Sequence, residues 1–319
     1  MNQIYTFGNY LKNKFGCKVY KVGINISGFT CPNIDGTVAK GGCTFCENDS
    51  FSASTGETQE LKGFHLNLES TSNPNLQKQL EQLEFQFNAI SKRQANEYGA
   101  KKFIVYFQSF TNTYAPFETL KALYDKALSF PNVVGLSIGT RSDSITDETL
   151  DYLAKLNKDK EIWIEFGIQS IYDETLEKIN RGHTSENVKE WILKAKAKGL
   201  HVCGHLIFGL PDETKEMMLE KSRAAYEWGI DSVKYNPLYV VKKTALANDF
   251  VKGNFTPISE DDYLDVLVKS IQMKPENISV QRVTAGIDDD SLLSPAWCRD
   301  KNTQIKKINS ALKPLGLKY

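Results

Sequence analysis

The sequence is poor in cysteine, has no long hydrophobic run and carries no excess of charge of either sign. Its 6 cysteines in 319 residues are too few for the disulfide framework of a secreted protein of this size. Residues 1–10 lack the basic start and apolar core of a signal peptide, and no apolar run is long enough to span a membrane. A formal net charge of 0 argues against a generally basic nucleic-acid-binding protein. These absences predict a cytoplasmic location, and 41% hydrophobic residues suffice for a large core.

Acidic residues are also absent from the beginning of the chain and nearly absent from its end. None precedes Asp35, whereas that stretch contains Lys12, Lys14, Lys18 and Lys21. After Trp297 there is one acidic residue, Asp300, and the basic residues there are Arg299, Lys301, Lys306, Lys307, Lys313 and Lys318. Two interpretations are open, namely solvated ends of the chain or two basic arms that contact phosphates.

Short β-rich runs alternate with segments of helical period through the middle of the chain. The six candidate strands are residues 19–26, 103–108, 133–138, 162–168, 201–208 and 232–235. This alternation is typical of βα units with a parallel sheet. Six units are fewer than the eight that close a full barrel. The sequence therefore predicts an α/β fold, a partial (β/α)6 TIM-like barrel over residues 1–250.

Beyond Pro237 the pattern weakens. Residues 259–273 and 301–312 have helical period, and residues 278–283 read as one more strand. We expect residues 251–319 to form a C-terminal accessory extension packed on the barrel, rather than an independent domain.

Cys31, Cys43 and Cys46 lie on a glycine-rich loop after the first candidate strand. Three thiolates suit either zinc or an iron–sulfur cluster. A structural zinc site needs four ligands, and Cys17 would have to be the fourth. Cys17 precedes the first strand, however, and a strand of about eight residues would place it roughly 25 Å from Cys31. The loop therefore favours a three-cysteine metal centre with one open position, and a non-enzymatic zinc-binding protein is the alternative.

The Cys-x11-Cys-x2-Cys spacing, with Phe45 before the last cysteine, resembles the cluster loop of radical S-adenosylmethionine (SAM) enzymes. Most of that superfamily has a shorter first gap, and the expanded gap is similar to the YhcC/YtqA-like family and the catalytic subunit of Elongator. Residues 165–184 and 205–211 resemble the Elongator subunit and coproporphyrinogen dehydrogenases. Residues 107–116 and 135–141 resemble the YhcC/YtqA-like family in particular.

The resemblance implies two cofactors, a [4Fe–4S] cluster and SAM. Cys31, Cys43 and Cys46 would ligate three irons, and SAM would chelate the fourth. The implied SAM contacts are Phe45, Thr111, Asn112, Thr113, Gln169, Arg181, His205, Gly209 and Leu210. Without the flanking motifs, Gln169 would be read as a loop-ordering amide, Arg181 as a surface ion pair and His205 as a core histidine.

The candidate catalytic residues follow from position at the strand ends. We expect Gln108, Glu165 and Tyr235 near the reacting carbon, together with Arg282. The alternative for Glu165 is that it only forms an ion pair with Arg141.

The resemblance also implies a reaction, in which SAM is reductively cleaved to a 5′-deoxyadenosyl radical that abstracts a hydrogen atom. It further implies an electron donor such as flavodoxin or ferredoxin. Because Elongator modifies the wobble uridine of tRNA, the implied substrate is tRNA, with a carboxymethylaminomethyl group on C5 of that uridine converted toward aminomethyl. The chain is too short for the acetyltransferase domain of Elongator, and it has no RRM or KH signature, so the barrel rim and the basic arms would hold the tRNA. A radical SAM enzyme acting on a small metabolite or a peptide is the alternative.

Overall fold

A parallel sheet of seven strands organises the fold. The computed structural model describes residues 2–47, 64–287 and 289–319. In chain order, which is also their order across the sheet, the strands are β1 (Val19–Ile24), β2 (Lys102–Phe107), β3 (Val133–Thr140), β4 (Glu161–Gln169), β5 (His201–Phe208), β6 (Ser232–Pro237) and β7 (Ser279–Arg282). Every neighbouring pair is parallel, so all carboxyl ends lie at one edge. The predicted α/β partial barrel is confirmed, with seven strands in place of the six expected.

Helices pack around this sheet, most of them on its outer face. They are α1 (Phe7–Phe15), α2 (Leu76–Tyr98), α3 (Phe117–Ser129), α4 (Asp147–Leu156), α5 (Asp173–Lys178), α6 (Ser185–Ala197), α7 (Lys215–Glu227), α8 (Ala245–Val251), α9 (Glu260–Met273) and α10 (Lys301–Leu312). Hydroxyl side chains cap several of them, as Thr184 does for α6 and Ser259 for α9. Among the described residues, no helix is both long and apolar enough to cross a membrane.

The strands are buried on both faces, which explains their nearly continuous apolar sequences. On β4, for example, all residues from Glu161 to Ile168 are buried. Alternate positions of that strand contribute Ile162, Ile164 and Phe166 to the main hydrophobic core, because side chains alternate between the two faces of a sheet. The positions between them face the barrel interior, and these include Glu165.

Helix α1 closes the amino end of the barrel. Its Phe7 and Leu11 pack against Val19, Trp163 and Cys203 in a separate apolar cluster. The first and last strands are not paired with each other. Instead, Thr6 forms a parallel bridge with Val280 of β7, so the segment before α1 covers part of the open side.

The C-terminal residues complete the sheet. Strand β7 lies beyond residue 250 and pairs with β6. Helix α9 packs against α7, and Tyr263 of α9 donates a hydrogen bond to the carbonyl of Val283 (2.8 Å). The short strand Leu317–Lys318 pairs with Asn2–Gln3, which brings both ends of the chain together. The division at residue 250 stays a prediction, and the seventh barrel strand comes from beyond it.

Candidate active site

A cleft opens at the carboxyl ends of the strands. It consists of an inner cavity of about 150 Å³ and an adjoining outer cavity of about 470 Å³. The two cavities are continuous, since both are lined by Cys43, Cys46, Tyr106, Gln108, Phe110, Gln169, Arg181 and His205. The outer cavity has the size of a small-molecule site, and ligands of parallel α/β folds bind at this end of the strands.

The three loop cysteines reach this cleft together. Cys31, Cys43 and Cys46 all line the inner cavity. Cys17 instead packs beside Val19 at the amino end of the barrel, a strand length away, as the spacing predicts.

Residues far along the chain hold the cysteine loop in place. Asn180, which follows α5, donates from Nδ2 to the carbonyl of Gly42 (2.8 Å), and Asn33 of the loop donates to the carbonyl of Arg181 (2.9 Å). Gly182 lies against the loop with φ +80°, and a Cβ there would come within 2.6 Å of Val38. The loop is therefore fixed by the connection between α5 and α6.

Two buried arginines face the cysteine sulfurs. Arg141 Nη1 lies 3.8 Å from Cys31 Sγ, and Arg181 Nη1 lies 3.8 Å from Cys43 Sγ. Burial, together with the nearby Cys43 and Cys31 sulfurs, raises the pKa of Cys46 to about 12. The thiolate form of Cys46 therefore needs a bound cation, which a metal centre would provide.

The spacing of the sulfurs fits a cluster better than a single ion. In a tetrahedral zinc site, Zn–S bonds of about 2.3 Å place the sulfurs about 3.8 Å apart. Within the described parts of the chain, the one set of three potential ligand atoms all within 4.8 Å of one another belongs to Glu165, Cys203 and His205. The three loop sulfurs are therefore not all within 4.8 Å of one another, unlike the ligands of a single zinc ion, and three thiolate donors suit an iron–sulfur cluster.

Gln169 and Arg181 form a polar wall beside the cysteines. Gln169 ends β4 with φ +63°, and its buried Oε1 has no hydrogen-bond partner among the described residues. Arg181 donates from Nη2 to the carbonyl of Gly167 (3.0 Å). A Cβ at Gly167 would lie 2.6 Å from Arg181 Nη2 and 2.7 Å from Gln169 Nε2, so only glycine leaves room for both side chains. The unpaired oxygen is a ready acceptor for a ligand hydroxyl.

In the predicted SAM-binding segment 111–113, one residue lines the cleft and the other two make buried hydrogen bonds behind it. Thr111 lines the inner cavity. Asn112 donates from Nδ2 to the carbonyls of Phe107 (3.1 Å) and Gly139 (3.0 Å), which ties the end of β2 to β3. Thr113 Oγ1 lies 2.6 Å from Thr140 Oγ1 and is fully buried. The structure therefore brings Thr111 to the cleft, and it does not bring Asn112 or Thr113 there.

The remaining predicted SAM contacts divide in the same way. Phe45 lines the outer cavity, and His205 lines both cavities. The backbone N–H of Gly209 lies 3.3 Å from Met218 Sδ, and Leu210 is buried in an apolar cluster with Leu176 and Ile179. Gly209 and Leu210 are absent from the described residues that line the cleft.

Glu165 is the centre of a buried polar network below the inner cavity. It accepts hydrogen bonds from Lys21 of β1, Lys234 of β6, Ser137 of β3 and Nε2 of His205, the last at 2.7 Å. The suggested ion pair with Arg141 is wrong, since Arg141 bonds Asp143 through Nε (2.8 Å).

Charge and burial set the protonation of this network. Burial by itself would raise the pKa of Glu165, but the charges of Lys21 and Lys234 outweigh it and hold that pKa well below its ordinary value. Burial, with the charge of Lys234, lowers the pKa of His205 to about 4, so the imidazole is neutral at pH 7. Because the carboxylate only accepts hydrogen bonds, His205 Nε2 carries the proton and Nδ1 is left as an acceptor.

Of the candidate catalytic residues, Gln108 and Glu165 line the cleft, as does Arg282 in the outer cavity. The structure does not bring Tyr235 there. Its ring stacks on Phe208 and its hydroxyl bonds Tyr226, on the helix side of the sheet. Lys234, one position earlier, faces the interior instead, because side chains alternate along a strand.

Sequence reasoning missed Lys21, Lys234 and Tyr106. Tyr106 lines both cavities, and its hydroxyl accepts a hydrogen bond from Lys234 Nζ (3.0 Å). The available signal was a lysine within each of two apolar strands, since a charge at a buried position is rare unless it is paired.

The fold and the site define a class. Residues 36–223 match the Radical SAM superfamily, and residues 230–314 match the Radical_SAM C-terminal domain. The first match covers more than half of the chain, so the chain belongs to the radical SAM superfamily, as the resemblance predicts. Members of this superfamily are generally enzymes and typically bind a [4Fe–4S] cluster and SAM.

Within this class the chain is similar to YtqA of Bacillus subtilis, with 34% identity covering 98% of this chain and 90% of YtqA. It is equally similar to YhcC of Escherichia coli K12, over 98% of this chain and 93% of YhcC. A tRNA uridine(34) acetyltransferase of Methanocaldococcus infernus is 29% identical over 48% of this chain and 29% of its own length. The solved structure of archaeal Elp3 from the same organism has a TM-score of 0.63 at 18% identity, covering 94% of this chain and 64% of that one.

Proposed function

We propose that this protein is a radical SAM enzyme that abstracts a hydrogen atom from the C5 side chain of the wobble uridine of tRNA. In this proposal it converts a carboxymethylaminomethyl group toward aminomethyl. The observation that carries the enzymatic part is the joint lining of one cleft by Cys31, Cys43 and Cys46 and by the unpaired oxygen of Gln169.

The loop thiolates would hold the cluster, and the chain compensates their charge. When bound, the cluster and SAM supply reductive cleavage of SAM to methionine and a 5′-deoxyadenosyl radical. Arg141 and Arg181, both buried, would offset the negative charge of the thiolates and the SAM carboxylate. The wider sulfur spacing supports this assignment over mononuclear zinc.

The polar wall would orient SAM. Gln169 Oε1 would accept a hydrogen bond from a ribose hydroxyl, and His205 Nδ1 offers a second acceptor beside it. Thr111, which lines the inner cavity, and Phe45, which lines the outer cavity, would contact the same ligand. Glu165 would act as a positioning residue, because its carboxylate fixes the tautomer of His205. Gln108 is the residue that we propose lies nearest to the reacting carbon.

The tRNA part of the proposal is supported by more distant similarity. The Elp3 structure has a similar fold, and the relative named tRNA uridine(34) acetyltransferase is similar in sequence to 48% of this chain, although this chain matches only part of each. The basic N-terminal helix lies at the amino end of the barrel, opposite the cleft. Lys301 at the start of α10 lines the outer cavity, and it is the residue of the C-terminal basic segment that we propose contacts the RNA.

Anaerobic SAM cleavage tests the enzymatic part. Protein purified without oxygen should be brown, absorb near 400 nm, and release 5′-deoxyadenosine when given SAM and dithionite. Cys46→Ser should lose both the colour and the product, whereas Cys17→Ser should retain them, since Cys17 lies at the other end of the barrel. Wild-type protein that carries the cluster and releases no 5′-deoxyadenosine would contradict the proposal.

Nucleoside analysis tests the substrate. Wobble-position nucleosides of tRNA from cells with and without the gene are compared by mass spectrometry. We expect carboxymethylaminomethyluridine derivatives to accumulate in the deletion strain, and purified enzyme to convert them in that tRNA. An unchanged wobble uridine would remove tRNA as the substrate and leave a small metabolite or a peptide.

A further inference from the structure

The outer cavity carries two cations that the cluster and SAM would not use. The charged residues that line the cleft are Arg141, Glu165, Arg181, Arg282 and Lys301. Glu165 is paired with two lysines, Arg141 is paired with Asp143, and Arg181 contacts the Gly167 carbonyl and the Cys43 sulfur. Arg282 and Lys301 have no ion pair with any residue that the structure describes.

A bulge in the last strand directs Arg282 into the cavity. Val280 of β7 is opposite Val233, but the next pair is Arg282 with Lys234, so Gln281 is an extra residue. Gln281 points into the barrel, where its Oε1 accepts a hydrogen bond from Lys21 Nζ (2.6 Å). Arg282, opposite the inward-facing Lys234, also lies on the interior side and lines the outer cavity. Bulges often re-aim a side chain in this way next to an active site.

Lys301 lines the same cavity from a different element of the fold. It is the first residue of α10, whose N-terminus is capped by Asp300. Thr284 and Asn236 line the cavity with these two cations, and no carboxylate of the described residues does so. The outer cavity is therefore a net positive, partly enclosed space that adjoins the cysteines, Gln169 and His205.

We infer that Arg282 and Lys301 bind an anionic oxygen group of the substrate, a carboxylate or a phosphate, and hold it in the outer cavity. This inference rests on the proposed function, since it concerns the substrate of the same site. A guanidinium can bind either group through two parallel hydrogen bonds, and the lysine adds a flexible second charge. Holding the anion in the outer cavity would place the adjoining carbon of the substrate near the polar wall of Gln169 and Arg181, where SAM is proposed to bind. Hydrogen abstraction requires this proximity.

The two sources of the anion are a side-chain carboxylate and the RNA backbone. In the proposed substrate, the carboxymethyl group carries the carboxylate on the modified base itself. A phosphodiester would come from a neighbouring nucleotide. Either source fits the pair of cations, and binding measurements distinguish them.

The test compares three RNA hairpins of identical sequence, with 5-carboxymethylaminomethyluridine, 5-aminomethyluridine or uridine at the wobble position. Dissociation constants are measured at one fixed salt concentration for wild type, Arg282→Gln, Lys301→Gln and the control Lys306→Gln. Lys306 is exposed on the same helix and does not line the cleft. Iron content and absorbance near 400 nm report whether each variant is folded.

We expect each cleft variant to bind roughly tenfold or more weakly, the loss that follows from removing a charged hydrogen bond, and Lys306→Gln to bind like wild type. If the loss is confined to the carboxymethylaminomethyl hairpin, the anion is the carboxylate. If all three hairpins lose affinity equally, it is a phosphate. Unchanged affinity in both cleft variants, or an equal loss in Lys306→Gln, overturns the inference.

A second measurement separates this inference from the proposed function. If wild type binds none of the hairpins, the tRNA proposal fails. The anion site is then tested by phenylglyoxal modification of Arg282, followed by peptide mass spectrometry, with and without inorganic phosphate or malonate. Protection by either anion supports the site, and modification at the same rate in their presence overturns it.

Discussion

At the scale of single residues, one buried carboxylate organises the interior of the barrel. Glu165 is fully buried, and two lysines from opposite strands supply its counter-charges. A buried ion pair contributes little net stability, but removal of one partner leaves the other charges uncompensated. Burial already lowers the pKa of Lys21 to about 8, which shows how strongly the site disfavours an unpaired ammonium.

We therefore expect Glu165→Gln to lower the free energy of unfolding by about 3–5 kcal/mol, measured by urea denaturation. Glu118→Gln, in the first turn of α3, is the control and should cost less than about 1 kcal/mol, because that side chain is far from the interior. If Glu165→Gln lowers the free energy of unfolding no more than Glu118→Gln does, the Glu165 network does not hold buried charge.

His205 predicts a pH dependence of stability. Unfolded, its pKa is the ordinary 6.5, whereas in the folded protein it is about 4. Between these values the unfolded state binds more protons, so the free energy of unfolding should fall as the pH is lowered from 6.5 to 4. The difference corresponds to roughly 3 kcal/mol.

Urea denaturation at a series of pH values measures this fall. His205→Gln should make the free energy of unfolding fall less steeply with decreasing pH. Part of the fall should remain, because burial also lowers the pKa of His183, to about 3. The control His65→Gln, at an exposed position before α2, should retain the wild-type slope. An unchanged slope in His205→Gln would contradict the assigned burial.

The site residues were only partly predictable from sequence, and strands explain why. The alternation of side chains along a strand shows which residues share a face of β6, but the amino-acid sequence does not show which of the two faces is interior. Tyr235 was predicted to be a catalytic residue facing the barrel interior, but Lys234 is the residue of β6 that faces it. Lys21 looked like part of a basic surface, because its partner Glu165 lies 144 positions away.

At the scale of elements, the cysteine loop depends on a connection that contributes no ligand to it. The segment between α5 and α6 holds the loop through Asn180 and through the absence of a side chain at Gly182. The loop was predictable from its own spacing. Its anchor was not, because the two segments are neighbours only in the folded chain.

Two glycine variants test this anchor. Gly182→Ala and Gly199→Ala both place a side chain at a left-handed position, with φ of +80° and +77°, and each should cost about 1 kcal/mol for that reason. At Gly199 nothing lies within 4 Å of the new Cβ, whereas at Gly182 it would displace Val38 of the loop. We expect only Gly182→Ala to reduce iron content after anaerobic reconstitution. Equal iron content in the two variants would contradict this role.

At the scale of the whole molecule, both ends of the chain complete the barrel. Strand β7 comes from the C-terminal part, and Thr6 bridges to it from the N-terminal side. Tyr263 of α9 packs near Phe208 and bonds the chain after β7. We propose that residues 251–319 are an integral part of the barrel as well as a cover for it.

A chain that ends at residue 250 should therefore fail to fold cooperatively. It would lack β7 and α9, and would expose the aromatic face around Tyr235 and Phe208 to water. Circular dichroism during thermal denaturation and limited proteolysis measure this, with the full chain as the control. A cooperative transition in the shortened chain would show that the first 250 residues are an independent domain.

The sequence by itself determined the features that depend on local spacing. Alternating apolar runs specify βα units, and the cysteine spacing together with the motifs at residues 107–116, 135–141, 165–184 and 205–211 indicates the family, because each of these is a property of a short segment. Tertiary structure decided which distant side chains meet. The Glu165 network depends on the register of the strands. The placement of Arg282 beside Lys301 depends on a bulge in β7, and the anchor at Gly182 depends on how the α5–α6 connection packs on the cysteine loop. These arrangements arise only when the whole sheet is assembled.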